Sequence, residues 1–200
     1  MLRRGASADM DLPHYLRIQA HANALANRRL GLALLQLGPG EWQAPRSGFF
    51  PSLALTLNHI LAVDAYYIGA LHREDRLIAA WRDFRPCADA AEWVRRQHGS
   101  DLRLAGFCTA LDAGGIDALV SMPRADHVQR DRVGHVLAHL FNHQTHHRGQ
   151  AHAMLSATAI QPPQLDEFML PSEAQLRRDD MQAMGWDEQS LYGAAPQHGA

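Results

Sequence analysis

The chain has 200 residues, of which 46% are hydrophobic and 20% charged, so it can bury a core of ordinary size as one soluble domain. Its formal net charge is -2 at pH 7, which predicts neither nucleic-acid binding nor attraction to an anionic membrane. The two cysteines, Cys87 and Cys108, are too few for a disulfide scaffold or a cysteine-based zinc site.

The sequence shows no uninterrupted apolar run of the ~18 residues that a membrane helix needs. Residues 1–4 lead into Gly, Ser and Asp rather than into the apolar region of a signal peptide. We therefore expect no membrane contact and a cytoplasmic location. We expect one domain over residues 1–200, with a core over about 11–160 and a tail over 161–200.

Helix signals follow one another through the first part of the chain. Asp11 and Pro13 are typical of a helix start, and helix-compatible residues continue to Leu37, before Gly38-Pro39-Gly40. A linker rich in helix breakers follows, and Ser52 can cap a second helix over 53–71. We expect this helix to continue to Trp81, either bent or as a separate turn.

The rest of the chain is expected to add two long helices. Residues 88–111 carry a helical apolar pattern that Gly114-Gly115 breaks. Residues 117–122 favour a small strand or an extended connection. A fourth helix is expected over 131–159, closed by Pro162-Pro163, and a short helix over 173–184.

Four long amphipathic helices with little room for strands predict an all-α protein. The expected architecture is a four-helix bundle followed by a C-terminal tail. Bundles of this kind build metal and ligand sites between facing helices. The facing helices are therefore where functional residues are sought.

The most informative stretch is 142–150 in the predicted fourth helix, because it places His143 and His147 four residues apart. At about 100° of rotation per residue, His147 lies on the apolar line of the helix and His143 about 60° from it. Both imidazoles are therefore predicted to face the core. The other histidines of this helix are predicted on its flank or solvent face: His135, His139 and His146.

Two interpretations of this pair are open. A histidine on an apolar face is usually a core residue hydrogen-bonded to a neighbour, so a metal-free pair is one interpretation. Two adjacent buried imidazoles also suit a divalent metal ion. The zinc-protease motif is excluded, because its first histidine precedes a glutamate general base and this chain has Gln144 there.

A metal site needs a third donor, since zinc and similar ions usually take at least three protein ligands. The second predicted helix offers His59 and Asp64. The angular count places Asp64 near the centre of the apolar stripe and His59 about 120° from it. Periodicity alone therefore favours Asp64.

Several motifs stand out around the second and fourth helices: Phe49-Phe50-Pro51-Ser52, Thr56-Leu57-Asn58-His59-Ile60-Leu61, Asp64, the run from Leu140 to Gln150, and Pro162-Pro163. Together these motifs resemble the DinB family of damage-inducible, YfiT-like proteins. The resemblance covers roughly residues 11–170, and the motif of the fourth helix is the most specific part of it.

The resemblance implies a four-helix bundle that binds a divalent metal through one histidine of helix two and two of helix four. Matched residue by residue, the ligands are His59, His143 and His147, so the resemblance favours His59 over Asp64. Zinc or nickel is the expected metal, with iron and copper as alternatives. A homodimer is expected, in part because bundles often bury a helix face against a second copy.

Other polar residues of these motifs are candidates for supporting roles. Asp64 could orient a ligand imidazole or accept a proton from a water at the metal, or could be a core carboxylate paired with an arginine. Gln150 could hydrogen-bond that water, or cap a neighbouring backbone. Arg148 could reach an anionic substrate or form a surface salt bridge, and Gly149 could allow close helix approach.

Three neutral imidazoles leave a divalent ion its full charge, which activates water or stabilises a thiolate. The resemblance favours a small-molecule substrate and a metal-dependent S-transferase using a low-molecular-weight thiol, because relatives of this fold include thiol-dependent transferases and isomerases. Those relatives often carry a further histidine where this chain has Gln150. The alternatives are a metal-dependent hydrolase and a non-catalytic metal-binding stress protein.

Overall fold

The computed structural model describes residues 10–193, which are mostly helical. Four long helices dominate: α1 (Leu12–Leu34), α2 (Leu53–Leu71), α4 (Ala90–Ala110) and α6 (Val133–Leu155). The shorter elements are α3 (Leu77–Arg82), α5 (Ala113–Ile116), α7 (Ala174–Met184), α8 (Glu188–Tyr192) and the strands β1 (Leu119–Pro123) and β2 (Val128–Arg132).

Side-chain caps fix the starts of three long helices. Asp11, Ser52 and Asp89 each accept a hydrogen bond from the backbone N–H three residues later, at the starts of α1, α2 and α4. α2 has the predicted bounds. α1 ends three residues before Leu37, because backbone bonds to Ala33 and Leu34 tighten the chain into turns there.

The region after α2 forms a separate helix rather than a bent continuation of α2, which was one of the two predicted possibilities. Arg73 adopts a left-handed conformation with φ 58°, which interrupts the helical path. α3 then begins at Leu77 and ends at Arg82. Gly114 and Gly115, expected only as breakers, lie inside the short α5.

The expected extended segment is a strand with a partner, so the protein is not purely α-helical. β1 and β2 pair antiparallel, with Leu119 opposite Arg132 and Pro123 opposite Val128. The sequence pattern does not predict β2, because its residues are almost all exposed and lack an apolar alternation. The fourth long helix therefore begins at Val133, two residues after the expected start.

The four long helices pack side by side. α1 lies against α4 and α6, and α2 lies against the same two helices. One apolar cluster centres on Leu104 and Leu140, and a second on Leu53 and Trp93. This packing places the seam between α2 and α6 beside the core, with the hairpin of β1 and β2 at one end.

The segment expected as a tail folds back onto α1. α7 ends at Met184 as expected and follows a 3-10 turn, whereas α8 is not predicted by the sequence pattern. Phe168, Met181 and Leu191 pack with Ile18 and Leu25 of α1. The predicted domain also includes residues 1–9 and 194–200, which lie outside the described residues.

By length and composition alone, α2 could cross a membrane, although polar residues interrupt its apolar run. Of the apolar window, 67% is buried inside the protein. The helix also carries the fully buried Asp64. The core helix of a soluble protein has these same properties.

Candidate metal centre

α2 presents His59 at the seam with α6, and the two residues before it hold the helix in place. The carbonyl of Leu57 accepts a hydrogen bond from the indole of Trp93 at 3.0 Å. The amide of Asn58 exchanges two hydrogen bonds with the backbone of Cys87, at 2.6 and 3.2 Å. These bonds fix α2 to α4 and to the segment before it, so the half-buried His59 has a defined position.

His143 and His147 project from successive turns of α6 towards the same seam. Nε2 of His143 lies 3.0 Å from Nε2 of His59. The ring centroid of His147 lies 4.7 Å from that of His59 and 4.5 Å from that of His143. One nitrogen from each of the three imidazoles lies within 4.8 Å of the other two. The structure thus brings all three sequence-predicted histidines together.

The spacing of these nitrogens suits a divalent cation. Imidazole nitrogens bound to tetrahedral zinc at 2.0–2.1 Å are about 3.3 Å apart. The pair from His59 and His143 is already near that spacing at 3.0 Å. Nδ1 of His143 is buried without a hydrogen-bond partner among residues 10–193. Apart from the neighbouring imidazoles, few polar groups therefore compete with a cation for the nitrogens of this ring.

The surroundings of the site favour the uncharged form of two of its imidazoles. Burial, followed by the neighbouring His147 and His59, lowers the pKa of His143 to about 4. Burial also lowers the pKa of His59, with a smaller contribution from His147. Both rings are therefore neutral at pH 7, the state in which a nitrogen lone pair is available to a metal.

Gln150 contacts imidazoles rather than the backbone. Its Oε1 lies 2.8 Å from Nδ1 of His147, and its Nε2 lies 3.1 Å from Nε2 of His146. In this arrangement His147 donates its Nδ1–H to Gln150 and keeps the lone pair of Nε2 for a cation. A contact between Gln150 and water at the metal stays a prediction.

Asp64 lies apart from the three imidazoles. Its carboxyl group is fully buried and accepts a hydrogen bond from Nε2 of Gln97 at 2.9 Å. Burial, countered in part by hydrogen bonds and by Arg148, raises its pKa to about 6. No imidazole hydrogen-bonds to it, and no arginine of the described chain lies within ion-pair distance, so neither predicted contact is present.

The location of the site explains why periodicity and resemblance favour different third ligands. Asp64 occupies the centre of the apolar stripe, as the angular count predicts, whereas His59 lies on its flank. The imidazoles meet at the outer seam of α2 and α6 rather than on the apolar stripe. The prediction that both imidazoles face the core is confirmed for the buried His147 and only in part for His143, which is half-buried with its Nδ1 buried. Gln144, at 0% exposure, lies deeper in the core than His143.

A buried polar cluster between the four long helices escapes the sequence analysis. We call it the polar centre, and it consists of Asn23, Asn27, Asp64, Gln97, Asp101, Gln144 and Arg148. Three of the four helices contribute a polar pair four residues apart, and such a pair on an apolar stripe is the signal that could have revealed it.

The polar centre changes the interpretation of Arg148 and Gly149. Nη1 of Arg148 donates to the side-chain oxygens of Asn23 and Asn27, so this arginine is buried rather than in a surface salt bridge. It does not face a substrate at the imidazoles. A Cβ atom at Gly149 would meet nothing within 4 Å, so this glycine serves no close approach of helices.

Aromatic side chains flank the imidazoles on two sides. The ring of Phe50 lies 4.5 Å from His59 and 5.6 Å from His147. On the other side, His139 lies 6.2 Å from His143, and Tyr67 lies 5.0 Å from His139. His139 is exposed, so the seam is accessible from solvent at this end.

The fold and this site define a mostly helical protein with a three-histidine group able to hold a metal ion. The family model of the DinB family matches residues 121–181, a range that includes His143 and His147 but not His59. This match confirms the resemblance to the DinB family. No curated protein and no solved structure matches the chain.

Proposed function

We propose that the protein binds one divalent metal ion through His59, His143 and His147. The observation that carries the proposal is the convergence of three imidazole nitrogens, from two helices, within 4.8 Å of one another. The DinB match over α6 supports it independently of the geometry. We further propose that α1, α2, α4 and α6 form the four-helix bundle of that family within one domain.

Zinc or nickel is the metal that we propose, since imidazole suits both. When bound, such an ion would lower the pKa of a thiol or water that coordinates it. The chain itself supplies the ligands and their orientation. Gln150 holds the ring of His147 through Nδ1, and the contacts of Leu57 and Asn58 hold the helix that carries His59.

We propose transfer of a low-molecular-weight thiol to a small electrophile as the reaction. The three-histidine group, among the described residues, includes no carboxylate that could act as a general base on water. A thiol is acidic enough to need no such base once its pKa is lowered. Phe50 and the 79% exposed Phe49, whose rings are in contact, offer an apolar surface for the electrophile.

Elemental analysis of the purified protein tests metal binding. We expect about one equivalent of zinc or nickel in the wild-type protein and in His135→Ala, a variant of an exposed histidine on the same helix. His143→Ala should lose most of the metal, because two imidazoles are too few for a stable site. Equal metal content in all three proteins would refute the proposed three-histidine site.

A pair of assays on the metal-loaded protein separates the candidate reactions. Thiol-dependent consumption of an aryl halide, absent in His143→Ala, is the result expected for an S-transferase. Hydrolysis of a nitrophenyl ester without added thiol would instead favour the hydrolase. Metal binding with neither activity would favour a stress protein in which the ion stabilises the fold.

We also propose that the protein is a cytoplasmic homodimer acting on a small molecule, without a nucleic-acid or membrane partner. The near-neutral charge of the chain supports the absence of a nucleic-acid or membrane partner. Sedimentation equilibrium at micromolar concentration tests the homodimer, since a monomer and a dimer of this chain differ twofold in mass.

A further inference from the structure

We propose that the molecule that reacts at the metal centre carries an acidic group, which Arg124 and Tyr67 bind roughly 12 Å along α2 from the proposed ligand His59. This inference rests on the proposed function. It adds a specificity site at the hairpin end of the seam between α2 and α6. The acid is a carboxylate or a phosphate, since both match the hydrogen-bonding geometry of a guanidinium group.

Arg124 lies in the turn between β1 and β2, where its side chain is fixed against α2. The hydroxyl of Tyr66 donates to the carbonyl of Pro123 at 2.5 Å, which docks the turn on the helix. Nη2 of Arg124 donates to the hydroxyl of Tyr67 at 3.2 Å. The guanidinium lies 5.1 Å from the ring centroid of Tyr66 and 5.8 Å from that of Tyr67. The cation is therefore held in place before any ligand arrives.

The guanidinium of Arg124 forms no direct ion pair, although the charge of Asp131, which accepts a hydrogen bond from Gln129, acts on it from a greater distance. Its other hydrogen bonds go to Oε1 of Gln129, a neutral acceptor, at 2.9 and 3.1 Å. Among residues 10–193 no carboxylate lies within 4.0 Å of its guanidinium, whereas Arg132 and Arg103 are paired with Asp117 and Glu74.

The hydrogen bonds of Arg124 also leave donors free. They use Nε and Nη2, so the Nη1 group has no acceptor within the described chain. A half-buried, immobilised and unpaired guanidinium is what recognition of an anion requires. Tyr67 can donate its own hydroxyl proton to the same anion, because that hydroxyl only accepts from Arg124.

A continuous row of side chains joins Arg124 to the imidazoles. Tyr67 follows His59 by eight residues on α2, a rise of roughly 12 Å along the helix. His139 lies between them, with its ring 5.0 Å from Tyr67 and 6.2 Å from His143. A ligand anchored at Arg124 can therefore reach the metal ligands along the seam, and such an anchor would orient the reacting atom.

Thiol binding to the Co²⁺-loaded protein tests this site, because a thiolate on cobalt gives a charge-transfer band in the near ultraviolet. Glutathione is the acidic probe, since its carboxylates lie several bonds from the sulfur. N-acetylcysteamine is the uncharged probe. Both are titrated into the wild type, Arg124→Gln, Arg124→Lys and Arg130→Gln. Arg130 is the matched control, an exposed arginine on the same hairpin.

We expect Arg124→Gln to weaken glutathione binding about tenfold, the usual effect of losing a charge-assisted hydrogen bond. Binding of N-acetylcysteamine should change less than twofold, Arg124→Lys should restore part of the affinity, and Arg130→Gln should match the wild type. If Arg124→Gln weakened the binding of both thiols equally, or of neither, the acid site would be refuted and the proposed function would stand. If neither thiol produced the charge-transfer band, or if the protein took up no cobalt, both the proposed function and the acid site would be refuted.

Discussion

The hydrogen bonds of Gln150 decide which nitrogen of His147 is available at the candidate metal centre. A neutral imidazole carries one proton, and the acceptor at Nδ1 determines where it lies. Oε1 of Gln150 is that acceptor at 2.8 Å, while its amide group donates to His146. A single side chain therefore sets both the tautomer and the rotation of one proposed ligand.

We expect Gln150→Leu to weaken zinc binding about tenfold, within the range seen when an outer hydrogen bond to a ligand histidine is lost. Leucine has a similar size, so the free energy of unfolding of the metal-free protein should hardly change. Competition with a chromophoric chelator measures the affinity. His146→Ala is the control, because it keeps the bond between Gln150 and His147. Wild-type affinity in Gln150→Leu would refute this role.

At the scale of single residues, the sequence predicts which histidines meet but not how they are supported. The four-residue spacing of His143 and His147 implies a shared face of one helix. The choice between His59 and Asp64 cannot come from periodicity, because an apolar stripe marks the core and the site lies at the flank. The role of Gln150 depends on a side-chain rotamer, which no spacing specifies.

Among the elements, α7 and α8 show how a segment with weak sequence signals is fixed by one buried arginine. Arg177 is 0% exposed and donates to the carbonyl oxygens of Phe168 and Leu170. It also pairs with the carboxylate of Glu188, and its guanidinium lies 3.8 Å from the ring centroid of Tyr192. The arginine thus joins α7 to α8 and to the chain before them.

We expect Arg177→Met to lower the free energy of unfolding by about 2 to 4 kcal/mol, because it leaves buried carbonyl groups and a carboxylate without their donor. Hydrogen exchange should accelerate in residues 168–193 and stay slow in α2, with metal content unchanged. Arg178→Met is the control, since Arg178 is exposed. Equal stability of the two variants would show that the buried arginine is dispensable.

The long helices are predictable because their capping residues and apolar periodicity act locally. Asp11 and Ser52 predict the starts of α1 and α2, and both predictions are confirmed. β2 and α8 are not predictable in this way. β2 is stabilised by pairing with β1, and α8 by the contacts of Leu191 and Tyr192 in the cluster on α1, neither of which leaves a periodic pattern.

In the whole molecule, the polar centre connects the four long helices. Oδ1 of Asp101 accepts hydrogen bonds from Asn27 at 2.9 Å and from Gln97 at 3.0 Å. Gln97 also donates to Asp64, and Arg148 donates to Asn27. Arg148 directly follows His147 in sequence and donates to Asn23 and Asn27 of α1. These hydrogen bonds hold the turn of α6 that carries the proposed ligands against α1.

Two buried carboxyl groups face one arginine in the polar centre, so charge there is costly. Burial, followed by the charge of Asp64, raises the pKa of Asp101 to about 8, and burial raises that of Asp64 to about 6. The native state thus keeps protons that the unfolded chain releases near pH 4. The contribution of these two carboxyl groups to the free energy of unfolding is therefore fully present below pH 4. It is lost as the pH rises through their native pKa values. The lowered pKa values of His59 and His143 act oppositely, but only below about pH 6.5.

Between pH 7 and 8.5 the titration of Asp101 should therefore dominate. We expect the free energy of unfolding, measured with urea in the presence of a chelator, to fall by roughly 1 kcal/mol over this range in the wild type. Asp101→Asn keeps an acceptor oxygen for Asn27 and Gln97 but cannot ionise, so its stability should be nearly flat. Asp179→Asn, which alters an exposed carboxylate, should retain the wild-type slope. A slope that persists in Asp101→Asn would mean that the proton of the polar centre resides on another group.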